Sequence, residues 1–156
     1  MEPEVTIIKK FKRLWKNYIF QTLLAVVVLL IITLTIGEDK MVLISAMGAT
    51  TFIIFAMPTT ASAKAKIVVG GHLVGLASGA VFCSITLPYF IECPLAVGIA
   101  IFLMVALDVE HPPAAGTALA AAINEVELYD AAIIIACAVI LCLFRRLLKP
   151  YLKSLI

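Results

Sequence analysis

Residues 108–117 read Asp-Val-Glu-His-Pro-Pro-Ala-Ala-Gly-Thr, and they stand between two apolar runs, Pro94–Leu107 and Ala114–Ile123. Asp108, Glu110 and His111 put three ionisable side chains directly behind a run that is otherwise suited to lipid or to a protein interior. Pro112 and Pro113 then remove two consecutive backbone donors and push the residue ahead of them out of helical geometry. A helix arriving through Leu107 therefore stops here, and a new one starts near Ala114. The second run has ten residues, which at ~1.5 Å per residue is about half of a ~30 Å hydrocarbon core.

Outward from that break, the chain is that of an integral membrane protein. Of its 156 residues 63% are hydrophobic and 14% charged, and the mean hydropathy is +1.14, far from the balance of a soluble domain. Once the apolar segments are set aside, no soluble catalytic or regulatory module remains. Eleven of the twelve Lys and Arg lie in three clusters, at 9–16, 64–66 and 145–153, with Lys40 apart. Such clustering orients a chain in a membrane and gives no reason to expect nucleic acid. Cys83, Cys93, Cys137 and Cys142 form no Cys-x-x-Cys pair and read as packing residues, with no metal site, cofactor or disulfide expected. No cleavable signal is apparent, because the first apolar run is long enough to span.

The segments follow in order. Residues 1–16 form a basic segment in which Val5, Ile8, Phe11 and Trp15 alternate with lysines at helical spacing, as in a helix lying on a cytoplasmic membrane surface or a simple basic flank. Asn17–Ile36 is a full-length span. Met41–Met57 is short and ends at Pro58; Ile67–Leu87 is a second full span. A tight loop over Pro88–Cys93 leads to Pro94–Leu107, then the break, the short run, an acidic loop with Glu125, Glu127 and Asp130, and a last helix over Ala131–Leu148. A basic tail occupies 149–156. The expected fold is an all-α polytopic membrane protein with four full transmembrane helices and two short or half helices, in one transmembrane domain over 17–148. Gly71, Gly75 and Gly79, at four-residue spacing, make a seam for close helix packing, within the chain or between copies in a homo-oligomer.

Two topologies keep both termini in the cytoplasm, one with six crossings and one with four. Six crossings leave eleven of twelve basic residues inside and place Glu38, Asp39, Glu92, Glu125, Glu127 and Asp130 outside, which fits the basic-loop rule better. The chain then reads long, short, long twice over, 17–87 and 94–148, entered from opposite sides: an inverted repeat. Met47-Gly48-Ala49-Thr50-Thr51 in the first half matches Ala115-Gly116-Thr117 in the second. If helix begins near Gly48 and near Pro113, two helix N-termini face each other at mid-membrane and form an anion site without lysine. Small residues kept for packing explain the same pattern.

His72, His111, Asp108 and Glu110 are the proton-coupling candidates; one histidine in a helix is more often a hydrogen-bonded interior residue, but two histidines converging on two breaks point to a site. The two acids are an awkward neighbour for an anion. With His111 they also match a divalent-cation site, which no second His or Cys cluster supports. No nucleophile has an evident base, so an enzyme is not expected.

His111-Pro112-Pro113-Ala114 followed by Gly116-Thr117-Ala118, with Met47-Gly48-Ala49 and Val69-Gly70-Gly71-His72-Leu73-Val74-Gly75 upstream, resembles the signature of the HPP family of small integral membrane proteins. The resemblance covers roughly residues 20–148. It implies a compact protein with four spanning helices and a transporter, some members being connected with nitrite. The reading of the sequence is thus a transporter or channel for a small inorganic anion in a prokaryotic cytoplasmic membrane, in contact with lipid. Gly48, Ala49, Thr50, Thr51, His111, Pro112, Pro113, Gly116 and Thr117 form the expected path. The competing readings are a non-transporting membrane scaffold or partner subunit and a divalent-cation transporter.

Overall fold

A computed structural model describes residues 7–37, 40–85, 87–123 and 127–156. Its described elements are six helices, α1 (Ile7–Ile36), α2 (Met41–Ala56), α3 (Ala65–Cys83), α4 (Tyr89–Ala106), α5 (Pro113–Ile123) and α6 (Leu128–Leu148), with a 3-10 turn at Ala61–Ala63. Four of them, α1, α3, α4 and α6, are long and apolar enough to cross a membrane; α2 and α5 are shorter. The all-helical fold with four long and two short helices is the expected one. Large apolar side chains such as Leu34, Phe102 and Leu147 are exposed on the outside of the bundle, the surface a bilayer covers.

Several boundaries differ from expectation, each for a local reason. Ile7–Lys16 continues without a break into the first span as one 30-residue helix, as a simple basic flank would, since nothing between them removes a donor. Val5, Glu38, Asp39 and Glu125 lie outside the described residues. At the other end of α1, Gly37 adopts φ 95° and its N–H caps the Thr33 carbonyl at 3.1 Å, the left-handed stop that glycine permits. The α2 helix begins at Met41 and passes straight through Gly48, so the expected helix start at Gly48 is corrected. One glycine costs a helix about 1 kcal/mol, whereas the double proline at 112–113 removes donors outright. The expected loop over Pro88–Cys93 is also mostly helix, because the Pro88 carbonyl accepts from the N–H groups of Ile91 and Glu92 at 2.8 and 3.0 Å. Pro94 then sits inside α4.

Contacts between elements give the direction of every helix. At one end of the bundle, Asn17, Tyr18 and Gln21 of α1 bond the backbone of the tail that follows α6, at Tyr151, Leu155 and Lys153. Gln21 also donates to Phe55 near the end of α2, and Leu155 N–H caps the Ala56 carbonyl at 2.9 Å. Arg145 of α6 donates to the Pro58 carbonyl at 2.8 Å, and Lys66 at the start of α3 pairs with Asp108 just past α4. At the opposite end Lys40, ahead of α2, pairs with Asp130 of α6. Successive helices therefore run in alternate directions, and eleven basic residues gather at the end that holds the start of α1 and the tail after α6.

The seam expected on α3 is filled from within the chain. A Cβ at Gly71 would lie 2.6 Å from the His111 Cβ, one at Gly75 would overlap the Ala114 carbonyl, and one at Gly79 would lie 2.5 Å from the Ala118 carbonyl. Helix α5 runs parallel to α3 in this groove, backbone against backbone. The glycine face is buried against α5 of the same chain. Met47, Ile54, Phe55, Ile134 and Leu141 form the main core between α2 and α6, and Ala100, Met104, Val109, Ala114 and Ala118 a second one under the break.

Candidate functional site

The break positions the site. After α4 the chain turns at Asp108, which takes φ 54°, a left-handed conformation rare outside glycine though less so for Asp. Val109 N–H reaches back to the Met104 carbonyl at 2.9 Å, and its side chain is buried in the notch left by Gly70, where a Cβ would stand 2.8 Å from Val109 Cγ1. His111 lands against Gly71 in the same way. The Gly-Gly of Gly70-Gly71-His72 thus makes room for Val109 and His111, and this brings His72 beside His111.

The two imidazoles meet edge to face, with ring centroids 5.0 Å apart and planes at 63°, and both are 0% exposed. Thr50 of α2, also fully buried, stands between them: its Oγ1 is 3.0 Å from His72 Nε2 and 3.0 Å from His111 Nε2. The same hydroxyl is 3.0 Å from the Ala46 carbonyl. On the far side of His72, Nδ1 is 2.8 Å from the Thr117 hydroxyl of α5. On the far side of His111, Nδ1 is 3.0 Å from the Ser62 carbonyl. A line of hydrogen bonds thus runs from Ser62, near the basic end, through His111, Thr50 and His72 to Thr117. His72 lies seven residues into α3, about 10 Å along its axis at ~1.5 Å per residue. An apolar bundle gains nothing by burying such groups, and each buried polar group left unpaired would cost about 1–3 kcal/mol.

Of the residues expected at the site, the structure brings together Thr50, His72, His111 and Thr117. Gly48 and Thr51 lie on another face of α2, where they line a cavity of about 380 Å³ against α1, and the Thr51 hydroxyl is tied to the Met47 carbonyl at 2.8 Å. Ala49 and Pro112 are exposed, whereas Pro113 is buried. Gly116 faces Ala46 of α2, where a Cβ would stand 3.1 Å from the Ala46 Cβ. The first donors of α5 are not free, since Ala114 N–H bonds the His111 carbonyl at 2.8 Å and Ala115 N–H bonds the Pro112 carbonyl at 3.1 Å. Facing helix ends as the anion contact are therefore corrected: α2 has no start at this depth, and α5 has used the donors it begins with.

Asp108 and Glu110 are likewise outside the cluster. Asp108 pairs with Lys66 at 3.3 Å, with both side chains largely exposed, and Glu110 is exposed beside a cavity of about 280 Å³ that His111 and Met104 also line. Sequence reasoning missed Ser62, Ala46 and Gly70. The first two act through carbonyls that any residue carries, so no side-chain signal marks them. Gly70 was legible as half of the Gly-Gly pair, but the Val109 it accommodates was not. No group of three or more His, Cys, Asp or Glu converges among the described residues.

No curated protein and no solved structure matches the sequence. The model of the HPP transmembrane region matches residues 9–150, nearly the whole chain and all of the elements that build the cluster. By that match the chain belongs to the HPP family of membrane proteins.

Proposed function

We propose that this protein is a membrane transporter for a small inorganic anion, nitrite-like in size, whose movement is linked to protons. The observation that carries the reading is the His111–Thr50–His72–Thr117 line, fully buried in an apolar bundle. Polar groups at membrane depth are costly and are kept where an ion or a proton is handled. An anion entering a low-dielectric bundle needs a compensating positive charge. Protonation of the histidine pair supplies it, in place of the helix ends, and the Thr50 and Thr117 hydroxyls are further donors beside it. Both acids of the break stay at the surface, so negative charge does not oppose the anion at the cluster. The basic end of the bundle faces the cytoplasm in this proposal. The alternate direction of the helices supports the reading of 17–87 and 94–148 as halves of opposite orientation.

Purified protein in liposomes tests this. Nitrite uptake is expected to exceed that of protein-free vesicles and to rise when the side of entry is made more acid. His111→Ala is expected to abolish the dependence on pH. Absence of flux for nitrite, nitrate and chloride at every pH would overturn the transporter and leave a scaffold or partner subunit.

A further inference from the structure

We propose that the cluster binds one proton at His111 Nε2, and that rotation of the Thr50 hydroxyl is the device that accommodates it. The hydrogen-bond inventory carries the argument. The Ser62 carbonyl only accepts, so His111 Nδ1, 3.0 Å away, carries a proton. In a neutral His111 the other nitrogen, Nε2, is then bare and accepts from Thr50. The single hydroxyl proton of Thr50 is thereby used, so Thr50 accepts from His72 Nε2–H. His72 Nδ1 is left bare and accepts from the Thr117 hydroxyl. Every donor points one way along the line, from Thr117 towards Ser62, and the two histidines hold opposite tautomers.

The Ala46 carbonyl supplies the second state. When a proton from water adds to His111 Nε2, that nitrogen becomes a donor and its hydrogen bond from Thr50 is lost. The Thr50 hydroxyl turns to the Ala46 carbonyl, 3.0 Å away, and its oxygen now accepts from both Nε2–H groups. No bond other than N–H is formed, and each polar group has a partner before and after. The line absorbs one proton by one hydroxyl rotation. A second proton has no such place, because at His72 Nδ1 it would displace the hydroxyl proton of Thr117 and put two imidazolium rings at 5.0 Å. The charged and titratable groups around His111 are few. From α3 come His72 and, near the surface, Lys66; the connection after α4 brings Asp108, paired with Lys66, and the exposed Glu110. Lys64 is exposed behind Ser62, and α2 and α5 carry no ionisable side chain.

The proposal rests on the proton-linked reading above only for its use; the equilibrium belongs to the protein at rest and is measured without flux. The chain has two histidines, so 15N labelling of the full chain at histidine in nanodiscs gives four ring nitrogens, assigned with His72→Asn. At alkaline pH, the expected result is a bare Nε2 on His111 and a bare Nδ1 on His72. On acidification the His111 Nε2 signal shifts to the protonated position while His72 stays neutral. Thr50→Val is expected to abolish the opposed tautomers, and Thr50→Ser to restore them. The same tautomer in both histidines, or equal protonation of both in one step, would overturn the proposal whatever the flux assay gives. Wild-type spectra decide this even if Thr50→Val does not fold.

Discussion

At the scale of single residues, burial separates the members of one motif. Asp108, Glu110 and His111 stand within four positions, yet His111 is 0% exposed while the Asp108 side chain is 84% exposed. Exposed ion pairs contribute about 0–1 kcal/mol. Asp108→Asn is therefore expected to leave thermal stability in detergent and nitrite flux nearly unchanged. Thr117→Val has the opposite outlook. It removes the partner of His72 Nδ1 inside the bundle and should lower stability by about 1–3 kcal/mol together with a loss of flux; normal stability and flux in this variant would remove Thr117 from the site. The break at the double proline, and the histidine and threonine that flank it, were legible in the sequence. The outward direction of the acids was not, because side-chain direction after a left-handed residue depends on where the chain is going.

Among the helices, the decisive contact is that of α5 in the glycine groove of α3. The four-residue spacing of Gly71, Gly75 and Gly79 announced a close approach but not its partner, since small-residue seams serve contacts within a chain and between chains alike. Gly71→Ala and Gly75→Ala each place a methyl group into occupied space, against the His111 Cβ and the Ala114 carbonyl. Each is expected to destabilise the protein by about 1–3 kcal/mol, the usual range for overpacking, in thermal unfolding in detergent. Gly48→Ala and Gly98→Ala are the controls. A Cβ at Gly48 meets Leu29 at an ordinary 3.9 Å and one at Gly98 meets nothing within 4 Å, so both should be neutral or stabilising. Equal loss in all four variants would show that the groove is not what the glycines serve. The break at Pro112-Pro113 was readable because proline acts on its own backbone. The continuity of α2 through Gly48 was misread because glycine only weakens a helix and neighbours decide whether it breaks.

For the whole molecule, the chain closes on itself at the basic end. Gln21, 1% exposed, exchanges two hydrogen bonds with the Lys153 backbone, both 2.9 Å long, and Leu155 N–H caps α2. Deleting residues 151–156 leaves the Gln21 amide oxygen without its partner and should cost about 1–3 kcal/mol in detergent; an unchanged melting temperature would show that the tail does not hold α1 to α2. Apolar run length, basic clusters and the double proline were enough to read six helices and to bring the start of α1 and the tail after α6 to one end, because those properties act locally or along the chain; the family was legible only through the resemblance of the His111-Pro112-Pro113 and Gly70-Gly71-His72 motifs. The meeting of His72 with His111 across Thr50, 22 and 61 residues from it, came from packing. Gly70 and Gly71 admit Val109 and His111 to the face of α3, and that fit is a property of two surfaces that lie far apart in the sequence.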